Sequence, residues 1–143
     1  MESWRKVWRE GIAPQLSTAG LQALARGLIE DDERLVQGST TAPPPLQCMQ
    51  ECAVEGACGV GYCAWQGDGL RTVGEVEEFF ARICYETDQH FGEPTACRWF
   101  LNWFDDTPRE EMRRLLLPEV QLALAQRAKE AQRASVNDET TAA

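Results

Sequence analysis

Four cysteines, Cys48, Cys52, Cys58 and Cys63, fall close together in this chain, and Cys84 and Cys97 follow further on. Thiolates bind zinc, exchange disulfides and act as nucleophiles, whereas a buried thiol packs as a small hydrophobe. The spacing C-x3-C-x5-C-x4-C contains no CxxC pair of the zinc-ribbon or thioredoxin kind. On one continuous helix Cys48 and Cys63 would lie about 22 Å apart, whereas zinc–sulfur bonds are near 2.3 Å. A four-cysteine site therefore requires the chain to double back at Gly56 or Gly59–Gly61. The residues between the thiols are small (Ala53, Gly56, Ala57, Gly59, Gly61 and Ala64). They favour inert packing in a reducing compartment. A zinc site or a thiol-redox centre on Cys48, Cys52, Cys58 and Cys63 is the alternative.

Other chemistry is sparse. His90 is the single histidine, and on a helix it falls about 120° around from Cys84, so the two cannot form a nucleophile–base dyad. Carboxylate pairs occur at Glu30–Asp31–Asp32–Glu33, Glu77–Glu78 and Asp105–Asp106. These positions read as helix ends or exposed faces rather than the buried setting that raises one catalytic pKa. The glycines of "GACGVGYCAWQGDG" match no phosphate loop, and no GxSxG occurs. No catalytic residue is assigned, and a non-enzyme is favoured.

The elements that would position these residues are helical. Trp4, Val7 and Trp8 predict a short helix over 2–10 that ends before Gly11 and Pro14. Leu21, Leu24, Ala25, Leu28 and Ile29 predict a second, capped by Ser17 or Thr18, with a turn at Asp31–Asp32 and a short helix ending at Gly38. Pro43–Pro45 read as an extended spacer. "VGYCAW" is the one stretch with an alternation that suits a strand. Thr72 and Glu75 form a capping box that opens a helix with Val76, Phe79, Phe80, Ile83, Cys84 and Thr87 on one face, closed by Gly92 and Pro94. Thr107, Pro108 and Glu110 form a second box, and Pro118 should break or kink the helix that follows. In "PTACRWFLNWFDD" the apolar residues cover roughly 200° of the helix circumference, against about 100° for an ordinary amphipathic helix. This segment is the centre of a bundle or, in part, a contact surface.

The sum is an all-α, single-domain orthogonal bundle of about six or seven helices over residues 1–134, with a disordered tail over 135–143. A chain of 143 residues can fold without metal or disulfides. The net charge of −9 disfavours nucleic acid. Arg5, Lys6, Arg9, Arg113 and Arg114 are the only basic clusters and read as solvated helix surface. No apolar run reaches a membrane span, and the charged start lacks a secretory leader, so a soluble cytoplasmic protein is expected. The leading functional expectation is protein–protein contact with an unknown partner or in a homodimer, through Trp99, Trp103, Trp4 and Trp8. Metal or thiol-redox chemistry, with zinc as the cofactor considered, is the runner-up.

Overall fold

In a computed structural model, residues 1–45 and 50–142 are described, with side chains for 1–45 and 50–136. The described residues form an all-α bundle: α1 (Ser3–Val7), α2 (Thr18–Glu30), α3 (Gly59–Tyr62), α4 (Val73–Phe91), α5 (Cys97–Asp106) and α6 (Arg109–Ala142). A two-stranded antiparallel ribbon, β1 (Thr41–Ala42) and β2 (Gly56–Ala57), pairs Thr41 with Ala57 and Ala42 with Gly56. The expected tail over 135–143 lies largely outside the residues whose side chains are described. No helix among the described residues is long and apolar enough to cross a membrane.

The expected caps mostly form. The Ser17 hydroxyl accepts from the Gly20 N–H at 2.8 Å, and α2 ends at Asp31, whose φ of 51° is left-handed. Both halves of the Thr72–Glu75 box are made, and Gly92 closes α4 at φ 66°. The second box does not form as drawn. The last helix begins at Arg109, and Glu110 instead pairs with Arg113 at 3.0 Å.

Four further expectations are revised by tertiary contacts. Gly11 does not end the first helix. A π-helical turn over Trp8–Ile12 and a 3₁₀ turn over Ala13–Gln15 extend it, because Gly11 lies against Thr87 of α4. Residues 32–38 form a turn and a bridge from Leu35 to Ala57 rather than a short helix. "VGYCAW" is α3 followed by a π-helical turn over Cys63–Gly67, not a strand. Helix α6 runs through Pro118, with Leu116 and Val120 buried on either side, so packing offsets the one backbone hydrogen bond that proline cannot make.

Arginines knit the helices together. Arg109 donates to the Asp32 and Leu35 carbonyls and to Asp31, and Arg113 to the Leu28 and Ile29 carbonyls, which satisfies the free C-terminal end of α2. Glu119, only 6% exposed, accepts from Arg9 Nε and Nη2 at 2.7 and 2.8 Å and from Arg5 Nε at 3.2 Å. The Arg9 hydrogen bonds are the main reason its carboxyl is held below the ordinary range, against a smaller opposing effect of burial. Arg5, Arg9 and Arg113 are thus structural ties and not merely solvated surface.

Gly67 is the tightest point. A Cβ there would lie 2.4 Å from the Gly20 Cα, where two backbones meet and neither can yield. Gly67→Ala should lower stability by about 3 kcal/mol. Gly38→Ala has open space around it and only the φ of 85° to oppose it, and should cost about 1 kcal/mol. Urea unfolding of the two variants measures the difference.

Candidate functional site

The cysteines separate into different environments once the backbone path is known. Cys48 lies outside the described residues. Cys52 is disulfide-bonded, while Cys58, Cys63, Cys84 and Cys97 are free. The chain does double back before Gly56, as a shared site would need, but Cys52 in a disulfide is not a thiolate ligand. Cys58 is the N-cap of α3, and its sulfur accepts from the Gly61 N–H at 3.5 Å. Burial pushes its thiol up to about 12. Cys63 donates to the Gly59 carbonyl at 3.3 Å, and burial likewise raises its pKa. Both serve as packing and local hydrogen bonding. No group of three metal-ligating side chains is assembled among the described residues.

The pair that the fold brings together is Cys84 and Cys97. Helix α4 ends at Gly92, the chain turns through 93–96, and α5 returns beside it. Asp88, one turn after Cys84, accepts from the Cys97 N–H at 2.8 Å. The residue at the N-cap position of α5 is Ala96, which has no side-chain acceptor, so Asp88 supplies the cap from the neighbouring helix. This contact places Cys97 in the first turn of α5 against Cys84.

The Cys84 and Cys97 side chains interact where α4 and α5 meet, and that interaction is the main cause of a lowered Cys97 pKa, helped by the Arg98 charge and opposed by burial and by Asp88. A helix N-terminus favours thiolate in the same sense. The Cys84 thiol is raised, first by the same interaction and then by burial and the Cys97 charge.

The remaining candidates have structural partners. Asp105 accepts from the Gly38 N–H at 2.9 Å, and the His90 ring meets Phe91 edge-on at 5.0 Å at the end of α4. The tryptophans divide. Trp4 and Trp8, 4% and 1% exposed, belong to the core and offer no contact surface. Trp103 is half-buried and stacks on Trp4 with centroids 3.6 Å apart and planes within 3°. Trp99 alone of the four is exposed, at 47%. The wide apolar arc of α5 therefore serves core packing through Phe100 and Phe104 and ring stacking through Trp103, with Trp99 left over.

No protein-family model matches the chain, and no curated protein or solved structure matches it.

The thiol environments order their reactivity. Iodoacetamide added to the folded protein at neutral pH should modify the partly exposed Cys84 well before the buried Cys58 and Cys63. Peptide mass mapping over a time course checks the order.

Proposed function

We propose that this is a thiol–disulfide protein in which Cys84 and Cys97 alternate between dithiol and disulfide. The meeting of Cys84 and Cys97 across α4 and α5, with Asp88 one turn after Cys84 accepting from the Cys97 amide at 2.8 Å, carries this reading. The oxidant is an organic disulfide, RSSR. The Cys97 thiolate attacks one of its sulfurs, forms a Cys97–S–S–R bond and releases RS⁻. The Cys84 proton passes to a released thiolate, and the Cys84 sulfur displaces the second RS⁻ from Cys97. The balance is one protein dithiol and one RSSR giving one protein disulfide and two RSH, with the protein oxidised and the small disulfide reduced. Redox chemistry thus moves from the 48–63 segment, where the cysteine density suggested it, to the two cysteines outside it. Zinc plays no part in this reading. Four free thiols suit the cytoplasm, and cytosolic disulfides such as that of Cys52 are commonly redox-active.

Protein with the Cys52 disulfide intact, treated with 2-hydroxyethyl disulfide, should lose two hydrogens in mass and yield a peptide cross-linked between Cys84 and Cys97, while Cys84→Ser should stop at a mixed disulfide on Cys97. If Cys84 and Cys97 remain separately alkylatable after excess oxidant, with the fold intact by circular dichroism, the proposal fails.

A second reading keeps the expectation of protein contact, supported by the exposure of Trp99 two residues from Cys97. Exposed aromatic rings are frequent anchors of interfaces. Sedimentation of the wild type and Trp99→Ala tests it for the homodimer: a dimer that Trp99→Ala dissociates supports the contact, and a wild-type monomer removes self-association.

A further inference from the structure

A cleft of about 280 Å³ lies where the two turns that extend α1 meet α6. Trp8, Ala13 and Pro14 form one wall and Ala123 of α6 continues it, so this side is apolar. Arg9, Glu119, Arg127 and Glu130 also line the cleft, and neither thiol of the Cys84–Cys97 pair does. Two singular groups coincide here. Glu119, at 6% exposure, is the only buried charged side chain among the described residues. Nε1 of Trp8 is their only buried side-chain nitrogen or oxygen without a hydrogen-bond partner. An unpaired buried donor is destabilising, and in a native fold it calls for an acceptor.

The basic groups of the cleft are held in place and keep donors to spare. Nη2 of Arg127 donates to the Ala13 and Leu16 carbonyls at 3.0 and 2.7 Å, while its Nε and Nη1 donate to no described residue. Arg9 uses Nε and Nη2 on Glu119 and keeps Nη1. Glu119 is neutralised by Arg9 and, from outside the cleft, by Arg5. Arg127 is therefore the cation left for a ligand, and Glu130 the lining charge that opposes an anion. Those two sit three residues apart on α6 and form no ion pair. An indole N–H beside guanidinium donors suits a carboxylate. Glu119 and Glu130 in the same lining disfavour a second negative charge, as on a phosphate. The volume lies just under the lower end, about 300 Å³, of small-molecule sites, so the acid is one ring or a short chain.

We propose that this cleft binds a small organic monocarboxylate, its carboxylate between Arg127 and the Trp8 indole N–H and its hydrocarbon body along Trp8, Ala13, Pro14 and Ala123. Nε1 of Trp8 is enclosed, so the acid enters as the exposed side chains of Gln126 and Glu130 swing aside. Arg127 stays tied to the carbonyls of the 3₁₀ turn. The carboxylate replaces Glu130 as the nearest anion to that guanidinium, which makes Glu130 a competitor built into the site.

Three probes that share a ring separate charge from shape: benzoate with one negative charge, benzamide with none, and phenyl phosphate with nearly two at neutral pH. Each is titrated into the full chain, uniformly nitrogen-labelled, while the indole N–H resonances of its five tryptophans are followed by NMR. Benzoate should move the Trp8 indole resonance downfield and leave those of Trp65 and Trp99 in place. Its Kd should lie on the order of tenfold below that of benzamide, the effect of a hydrogen bond to a charged group. Phenyl phosphate should bind more weakly than benzoate. Glu130→Gln, at an exposed position that makes no ion pair, should tighten benzoate by about two- to threefold. Arg127→Gln should weaken it by on the order of tenfold. Arg127 also ties the 3₁₀ turn, so Glu130→Gln keeps the test intact if that variant does not fold. A Trp8 indole resonance unmoved at roughly 50 mM benzoate, beyond the Kd of a nine-atom ligand of ordinary efficiency, would overturn the inference. So would benzamide or phenyl phosphate binding as tightly as benzoate, or Glu130→Gln leaving the benzoate Kd unchanged.

Discussion

The backbone contact between Gly20 and Gly67 sets the distance at which the first half of the molecule meets the middle. Side chains of any size at these positions would hold α2 away from the turn after α3. Leu21, Leu24 and Leu28 would then lose the packing that buries them. The same economy continues through the preceding residues. Gly61 faces Val76 of α4, Gly59 faces Phe104 of α5, and Gly56 lies on the Arg34 carbonyl, each with room for a hydrogen and little more. Residues 56–67 are a thin central thread onto which three helices, α2, α4 and α5, press. The cysteines of that thread, Cys58 and Cys63, share its logic: each adds one polarisable atom where a larger side chain would not fit.

Around this thread the polar chemistry is used to close ends rather than to react. Arg109 and Arg113 satisfy the carbonyls of α2, Arg127 those of Ala13 and Leu16, and Gln37 those of Phe104 and Thr107. Asp88 does the same for the first amide of α5. An acidic chain thus commits several of its cations to its own scaffold.

Much of the fold was legible because helix signals are local. The 3.6-residue periodicity of 18–30 and 73–91, the Ser17 and Thr72 caps and the Gly92 stop depend only on near neighbours, and all appear. What failed depended on distant partners. Whether Gly11 ends a helix is decided by Thr87, whether 32–38 coil is decided by Ala57, and whether Pro118 breaks α6 is decided by the core on both sides of it. The tryptophan-rich helix, expected at the centre of the bundle or in part at a contact surface, buries Phe100 and Phe104 in the core and stacks Trp103 on Trp4. The Cys84–Cys97 pairing is not legible from cysteine density, because the two lie outside the cysteine-rich segment. A signal was present: Cys84 lay on the predicted apolar face of α4, and the short Gly92–Pro94 turn returns the next helix alongside it, which sets residue 97 near 88 and 84.

The ties described here span nearly the whole chain. Trp4 stacks on Trp103, Arg9 holds Glu119, and Arg127 reaches Ala13. The opening helix is too short to persist alone, and its partners Trp103 and Glu119 lie far along the chain on α5 and α6. Assembly must therefore wait for about four-fifths of the polypeptide, with large loops closed at the end of the process rather than the beginning. Synthesis on the ribosome leaves the first tryptophans without their partners for most of its duration.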